Sequence, residues 1–175
     1  MRSKSPYRRV LARRLGCILV LDHDEASNFL TSMVIRQASC AEHMHVSSSI
    51  AKALRYLDST DGVDNLFPDL FFADPLTLGT NATEFIATIQ KRNRFHARSP
   101  IVVMLTSAVE DALLRKELGD TILLAKPLTP IALQEILFQN FRDHFDLVPM
   151  DHWRYPTDNA RSSGITFYEE EDIVG

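Results

Sequence analysis

PDLFFADP, residues 68–75, is an apolar run of strand length that begins after one proline and closes on Asp74 and a second proline. A carboxylate at the end of a buried strand is a placed charge. Three other stretches share the design: Cys17–Leu21 (CILVL) runs into Asp22, Ile101–Leu105 (IVVML) into Thr106, and Thr121–Ala125 (TILLA) into Lys126. Short aliphatic runs without period-two alternation suit strands buried on both faces of a parallel sheet. Ligands of such sheets sit outside the carboxyl ends of the strands, so Asp22, Asp74, Thr106 and Lys126 are expected to converge there.

Between these runs the periodicity turns helical. Asp24 or Ser27 is expected to cap a helix to about Ser39, with Phe29, Leu30, Met33 and Val34 as its apolar stripe. Glu42–Val46 reads as a weaker second strand. Ile50, Ala53, Leu54 and Leu57, at i, i+3, i+4 and i+7, predict a helix from about Ser48. Asn81 with Glu84 resembles a capping box ahead of Phe85, Ile86 and Ile89, and Ser107 with Glu110 gives the same signal before Leu113, Leu114 and Leu118, with Gly119 as the stop. Thr129 caps the last helix and Pro130 takes its first position, ahead of Leu133, Ile136, Leu137 and Phe141. Strand and helix thus alternate five times. With right-handed crossovers this predicts an α/β fold, an open five-stranded parallel sheet with helices on both faces.

The 175 residues suffice for one domain with a full core plus extensions. Residues 1–15 are expected to form a basic arm, 16–144 the domain, and 145–175 an extension with an acidic tail. Residues 1–14 carry six Arg or Lys and no acid, whereas Arg142 to Gly175 holds three Arg against eight Asp or Glu. Such blocks are expected to be solvated, and the net charge of −4 argues against a nucleic-acid partner. No run approaches the roughly 18 apolar residues of a membrane helix, and the polar N-terminus does not read as a secretory signal, so no membrane and a cytoplasmic location are expected. Cys17 and Cys40 lack metal-ligand spacing and are expected to be reduced and buried. His43 and His45 share a strand face without a third ligand. His23 lies in the expected crevice.

Two carboxylates beside a lysine are costly unless a cation or charged ligand joins them, and Mg²⁺ with a phosphoryl group is the simplest such ligand. In that reading Asp74 is a nucleophile that forms an acyl phosphate, Asp22 helps to hold the metal, Thr106 bonds a phosphoryl oxygen and Lys126 balances charge. The ordered set ILVLDHDEASNFL (18–30), PDLFFADP (68–75), VVMLTS (102–107) and LLAKPLTP (123–130) resembles the receiver domain of bacterial response regulators, from about Cys17 to Phe141. The resemblance implies a flavodoxin-like sheet of order 2-1-3-4-5 and a signalling role rather than an enzyme. It also implies Asp74 as phosphoacceptor, Thr106 and Lys126 as phosphoryl contacts, and a metal site of Asp22, Asp74 and the Leu76 backbone carbonyl. The implied partners are a histidine kinase or histidine phosphotransfer protein, and a downstream protein at the face of the fourth helix and fifth strand.

Departures from the family pattern are equally specific. His23 stands where a second acid is usual, which removes an oxygen ligand, and Asp24 is the candidate substitute. Pro75 has no N–H to offer a phosphoryl oxygen. Leu78 and Ala82 replace the usual loop proline and glycine, and Leu123 replaces the aromatic residue that reports phosphorylation. Together these changes imply a degenerate receiver with a weak or absent Mg²⁺ site.

Asp22-His23-Asp24 also reads as the D-x-D of a haloacid-dehalogenase-like phosphatase, but that reading leaves Asp74 idle and finds no acidic strand end after Lys126. A flavodoxin-like cofactor or dinucleotide site is disfavoured by the glycine-free, acidic loop after the first strand. The expected role is a stand-alone receiver-like protein in two-component phosphorelay signalling. Its alternative is a pseudo-receiver whose Lys126–Asp74 pair fixes loops without chemistry.

Overall fold

The computed structural model describes residues 7–60, 63, 66–92, 99–107, 116, 118 and 121–149. Its centre is a five-stranded parallel sheet of β2 (Leu15–Leu21), β3 (Ala41–Ser47), β4 (Leu70–Ala73), β5 (Ile101–Thr106) and β6 (Ile122–Ala125), in the order β3-β2-β4-β5-β6. Counted among themselves these strands have the expected order 2-1-3-4-5. Successive side chains of a strand point to opposite faces. Ile18, Val20, Leu70 and Phe72 accordingly fill one core, and Leu19, Leu21, Phe71 and Ala73 the other. β2 and β4 are buried on both faces, which is why these two strands lack polar alternation.

Ile35 of α1 (Glu25–Ala38) and Leu133, Ile136 and Leu137 of α5 (Pro130–Asn140) close the first core. On the second face sit Ala53 and Leu57 of α2 (Ile50–Ser59), Leu78 of the short α3 (Pro75–Leu78), and Phe85 and Ile89 of α4 (Ala82–Arg92). Ser49 caps α2 and Thr129 caps α5, with Pro130 at the first position. Cys17 and Cys40 are free and buried, and burial pushes the Cys40 thiol up to about 11. Asp69 secures the start of β2, its Oδ2 accepting from the N–H groups of Gly16 at 2.7 Å and Cys17 at 3.3 Å. No helix among the described residues is long and apolar enough to cross a membrane.

The structure corrects three expectations. In α1 the buried residues are Asn28, Thr31, Ser32 and Ile35, whereas Phe29, Leu30 and Met33 are 64%, 49% and 40% exposed. The cause is local: Asp24 caps the helix, and the Asn28 amide donates to the Asp22 carbonyl at 2.6 Å, which fixes the rotational phase of the first turns. Of the expected stripe, Val34 alone packs against the core.

Second, residues 75–81 are helical rather than loop. Asp74 caps α3, a 3₁₀ turn at Gly79–Asn81 follows, and α4 begins at Ala82. Third, the terminal regions are not wholly solvated arms. Tyr7–Leu11 forms β1 and pairs antiparallel with β7 (Phe145–Pro149) in a separate two-stranded sheet. Leu11 enters the core, and the Arg9 guanidinium lies 3.7 Å from the centre of the Phe138 ring, so one basic residue of the arm is held against an aromatic face. The expected helix at Leu113, Leu114 and Leu118 lies largely outside the described residues.

Candidate functional site

The sheet order brings the site together. Chain direction reverses its progress across the sheet between β2 and β4, where Leu21 is in register with Ala73, so the residues after these neighbouring strands are Asp22 and Asp74. Thr106 ends β5 beside Ala125, and the Lys126 N–H donates to the Thr106 carbonyl at 3.0 Å. Thr106 is buried at the floor of this end of the sheet. The Lys126–Pro127 peptide bond is cis.

Lys126 reaches over the switch point and joins the carboxylates. Its Nζ donates to Asp22 Oδ2 at 2.5 Å and to Asp74 Oδ1 at 2.8 Å. Asp74, 2% exposed, accepts at its other oxygen from the Thr77 N–H at 2.7 Å and from the Thr77 hydroxyl at 2.9 Å. Burial alone pushes Asp74 upward, but the hydrogen bonds from Lys126 and Thr77 outweigh it and hold the carboxyl below its usual range. Burial likewise pushes Lys126 down, and its bonds to Asp22 and Asp74 raise it beyond its usual value. Two negative charges face one positive charge, so the triad keeps a net charge of about −1.

His23 is the residue whose placement the sequence leaves most open. Its Nδ1 lies 3.7 Å from Asp22 Oδ1 and 3.6 Å from Asp74 Oδ2. Thr77 holds it there: the threonine Oγ1 accepts from the His23 N–H at 2.8 Å and lies 2.8 Å from Nδ1. Asp22, His23 and Asp74 thus bring their ligand atoms within 4.8 Å of one another. The sequence places His23 in the crevice and marks it as a lost oxygen ligand, but its contact with Thr77 was not anticipated. The available signal was the spacing, since a hydroxyl three residues after a strand-end aspartate can cap it and face the neighbouring strand end.

Asp24 does not take up the lost role. Its Oδ2 accepts from the Ser27 N–H at 2.9 Å and from the Ser27 hydroxyl at 2.6 Å, bonds that lower its pKa and cap α1. Its own N–H donates to Asp22 Oδ1 at 2.9 Å. Pro75, read as a missing donor, sits at the first position of α3, where a free N–H would be unpaired in any case, and Thr77 supplies the donor to Asp74. Leu76 exposes its side chain in the same turn. Leu78 and Ala82 are core residues, and Leu123 packs against that core.

The donor set decides how Mg²⁺ fits. Mg²⁺ demands oxygens in near-octahedral order, and a third donor that is an imidazole nitrogen makes this a weak Mg²⁺ site at best. What the arrangement offers is a buried carboxylate with a lysine at one oxygen and an N–H and a hydroxyl at the other, at the open end of a parallel sheet.

No protein-family model matches the chain, and no curated protein sequence matches it significantly. Solved structures do. A two-component response regulator from Cytophaga hutchinsonii is 24% identical with a TM-score of 0.62, over 74% of this chain and 99% of that one. A response regulator receiver protein from Dyadobacter fermentans is 22% identical with a TM-score of 0.58, over 71% and 97%. A chain of the complex between the P1 domain of CheA3 and CheY6 from R. sphaeroides is 17% identical with a TM-score of 0.55, over 74% and 99%. The chain therefore has the fold of response-regulator receiver domains, with an Asp/His/Asp cluster at the end of the sheet where the resemblance places its acidic site.

Proposed function

We propose that the protein is a receiver in phosphorelay signal transduction, with Asp74 as phosphoacceptor and output by protein contact. The observation that supports this most is the bridge from Lys126 to both Asp22 and Asp74, which joins residues from three strand ends through two buried carboxylates. Acyl phosphate formation joins an Asp74 oxygen to the phosphorus of the donor, and the donor's nitrogen or oxygen leaves with the bonding pair. Lys126 and the Thr106 hydroxyl are the proposed contacts to the phosphoryl oxygens. The proposed donor is a histidine kinase or histidine phosphotransfer protein. The outward apolar side of α1, which starts at the crevice and shows Phe29, Leu30 and Met33, is suited to receive it. We also propose a downstream partner at β6 and the helix expected before it in the sequence.

The test is intact mass after incubation with acetyl phosphate in the presence of Mg²⁺, Mn²⁺ or Zn²⁺. One added phosphoryl group, absent in Asp74→Asn, is the expected result. A folded chain that takes no phosphate from acetyl phosphate or from a kinase overturns it.

One feature favours a second reading, a pseudo-receiver that binds its partner without phosphate. Both oxygens of Asp74 already accept hydrogen bonds, and its lowered pKa makes it a weaker nucleophile. A phosphatase of the D-x-D type fits less well, because Asp24, the expected acid/base, caps α1 instead. Turnover of a phosphomonoester would identify it.

A further inference from the structure

We infer that the crevice selects a borderline divalent ion of the Zn²⁺ type over Mg²⁺, with Asp22, His23 and Asp74 as its protein ligands. The inference rests on the reading of this crevice as a cation-assisted acceptor site, but not on phosphate transfer taking place.

Geometry favours the ion. Lys126 occupies Asp22 Oδ2 and Asp74 Oδ1; the other two oxygens, Asp22 Oδ1, which also accepts from the Asp24 N–H, and Asp74 Oδ2, which also accepts from Thr77, face His23 Nδ1 at 3.7 and 3.6 Å. A tetrahedral ion with bonds of about 2.1 Å holds its ligand atoms about 3.4 Å apart. An octahedral Mg²⁺ with bonds of about 2.1 Å needs neighbouring ligands about 3.0 Å apart. Both separations from His23 Nδ1 lie nearer the tetrahedral value. Chemistry agrees, since imidazole is a good ligand for Zn²⁺ and its neighbours in the series and a poor one for Mg²⁺.

An independent observation is the restraint on His23. Its side chain is 61% exposed, yet both its backbone N–H and its ring contact the Thr77 hydroxyl oxygen, which also bonds Asp74. The ring is held over the carboxylates rather than free in solvent. The bond from the His23 backbone N–H to Thr77 Oγ1 does not involve the nitrogen that would ligate, and it holds this residue beside the carboxylates. Because the Thr77 hydroxyl gives its hydrogen to Asp74, Nδ1 meets Thr77 as the donor; coordination through Nδ1 would break that contact and leave the ring proton on Nε2, while the dication would meet the residual negative charge of the triad.

The test measures binding to the full chain with no phosphoryl donor present. Zn²⁺ is titrated in competition with a chromophoric chelator, Mg²⁺ by its effect on that titration, and Co²⁺ by its visible ligand-field bands. Zn²⁺ is expected to bind at least about tenfold more tightly than Mg²⁺. His23→Ala is expected to weaken Zn²⁺ at least about tenfold and remove the bands of tetrahedral Co²⁺. His23→Asp, which restores an acid pair, is expected to shift the preference back toward Mg²⁺.

Equal affinity for the two ions, no binding of Zn²⁺, or Zn²⁺ binding that survives His23→Ala and so resides elsewhere, for example at His43 and His45, would each overturn the inference. Zn²⁺ bound through His23 by a chain that takes no phosphate upholds it and sinks the acceptor reading. Phosphate taken up with Mg²⁺ by a chain indifferent to His23 does the reverse.

Discussion

Asp74 carries more of the site than any other residue, and its titration gives the molecule a pH signature. Its folded-state pKa lies below the ordinary value of 3.8, so ionised Asp74 adds stability that is present above that pH and is lost as pH falls through the folded value. Lys126 lies above its ordinary 10.5, so its contribution is complete below that pH and disappears as pH rises through the folded value. Urea unfolding as a function of pH should therefore show an acid limb below about 4 that is shallower in Asp74→Asn. An unchanged limb would mean that other carboxylates set it. At this scale the sequence was informative about residues that end strands, because a single polar residue after an apolar run has few places to go. It was uninformative about Thr77 and its contacts to His23 and Asp74, which arise only once two strand ends lie side by side.

At the scale of elements, α1 separates what periodicity can and cannot decide. Phe29, Leu30 and Met33 are as apolar as a core stripe, but the cap at Asp24 and the Asn28 bond to the Asp22 carbonyl turn them outward and bury Asn28, Thr31 and Ser32 with Ile35. Tertiary anchoring of the helix start outweighs the hydrophobic pattern. Ile35→Ala should cost about 2–5 kcal/mol in urea unfolding, while Phe29→Ser should change stability by less than about 0.5 kcal/mol. The reverse order would restore the stripe read from the sequence. The strands and the last helix were legible because burial on both faces leaves one pattern, and because Thr129-Pro130 is a strong start signal. The helical turn at Pro75–Leu78 was hidden by its length, too short for any period to register.

Across the whole molecule, the parallel core and the β1–β7 sheet are joined through residues that belong to both. Leu11 lies in the core, and Phe145 packs edge-on against Phe138 of α5 with ring centres 5.7 Å apart. Arg13 also bonds Asp143 at 3.2 Å. Leu11→Ala should therefore lower the unfolding free energy by about 2–5 kcal/mol, whereas Leu147→Ala, 66% exposed in the same sheet, should change it by less than about 0.5 kcal/mol. Equal, small effects would mean that the ribbon is not part of the cooperative unit. Its charge pattern concealed it, since strand pairing between distant segments leaves no local signal in either. In that ribbon Tyr7 lies opposite Pro149 and Leu11 opposite Phe145, so the outer ends of both strands sit together. Tension applied through the two ends of the described chain would load those hydrogen bonds one after another, as a zip opens, rather than all at once in shear. The ribbon would part at low force, and the parallel sheet would feel the pull only after its clasp had opened.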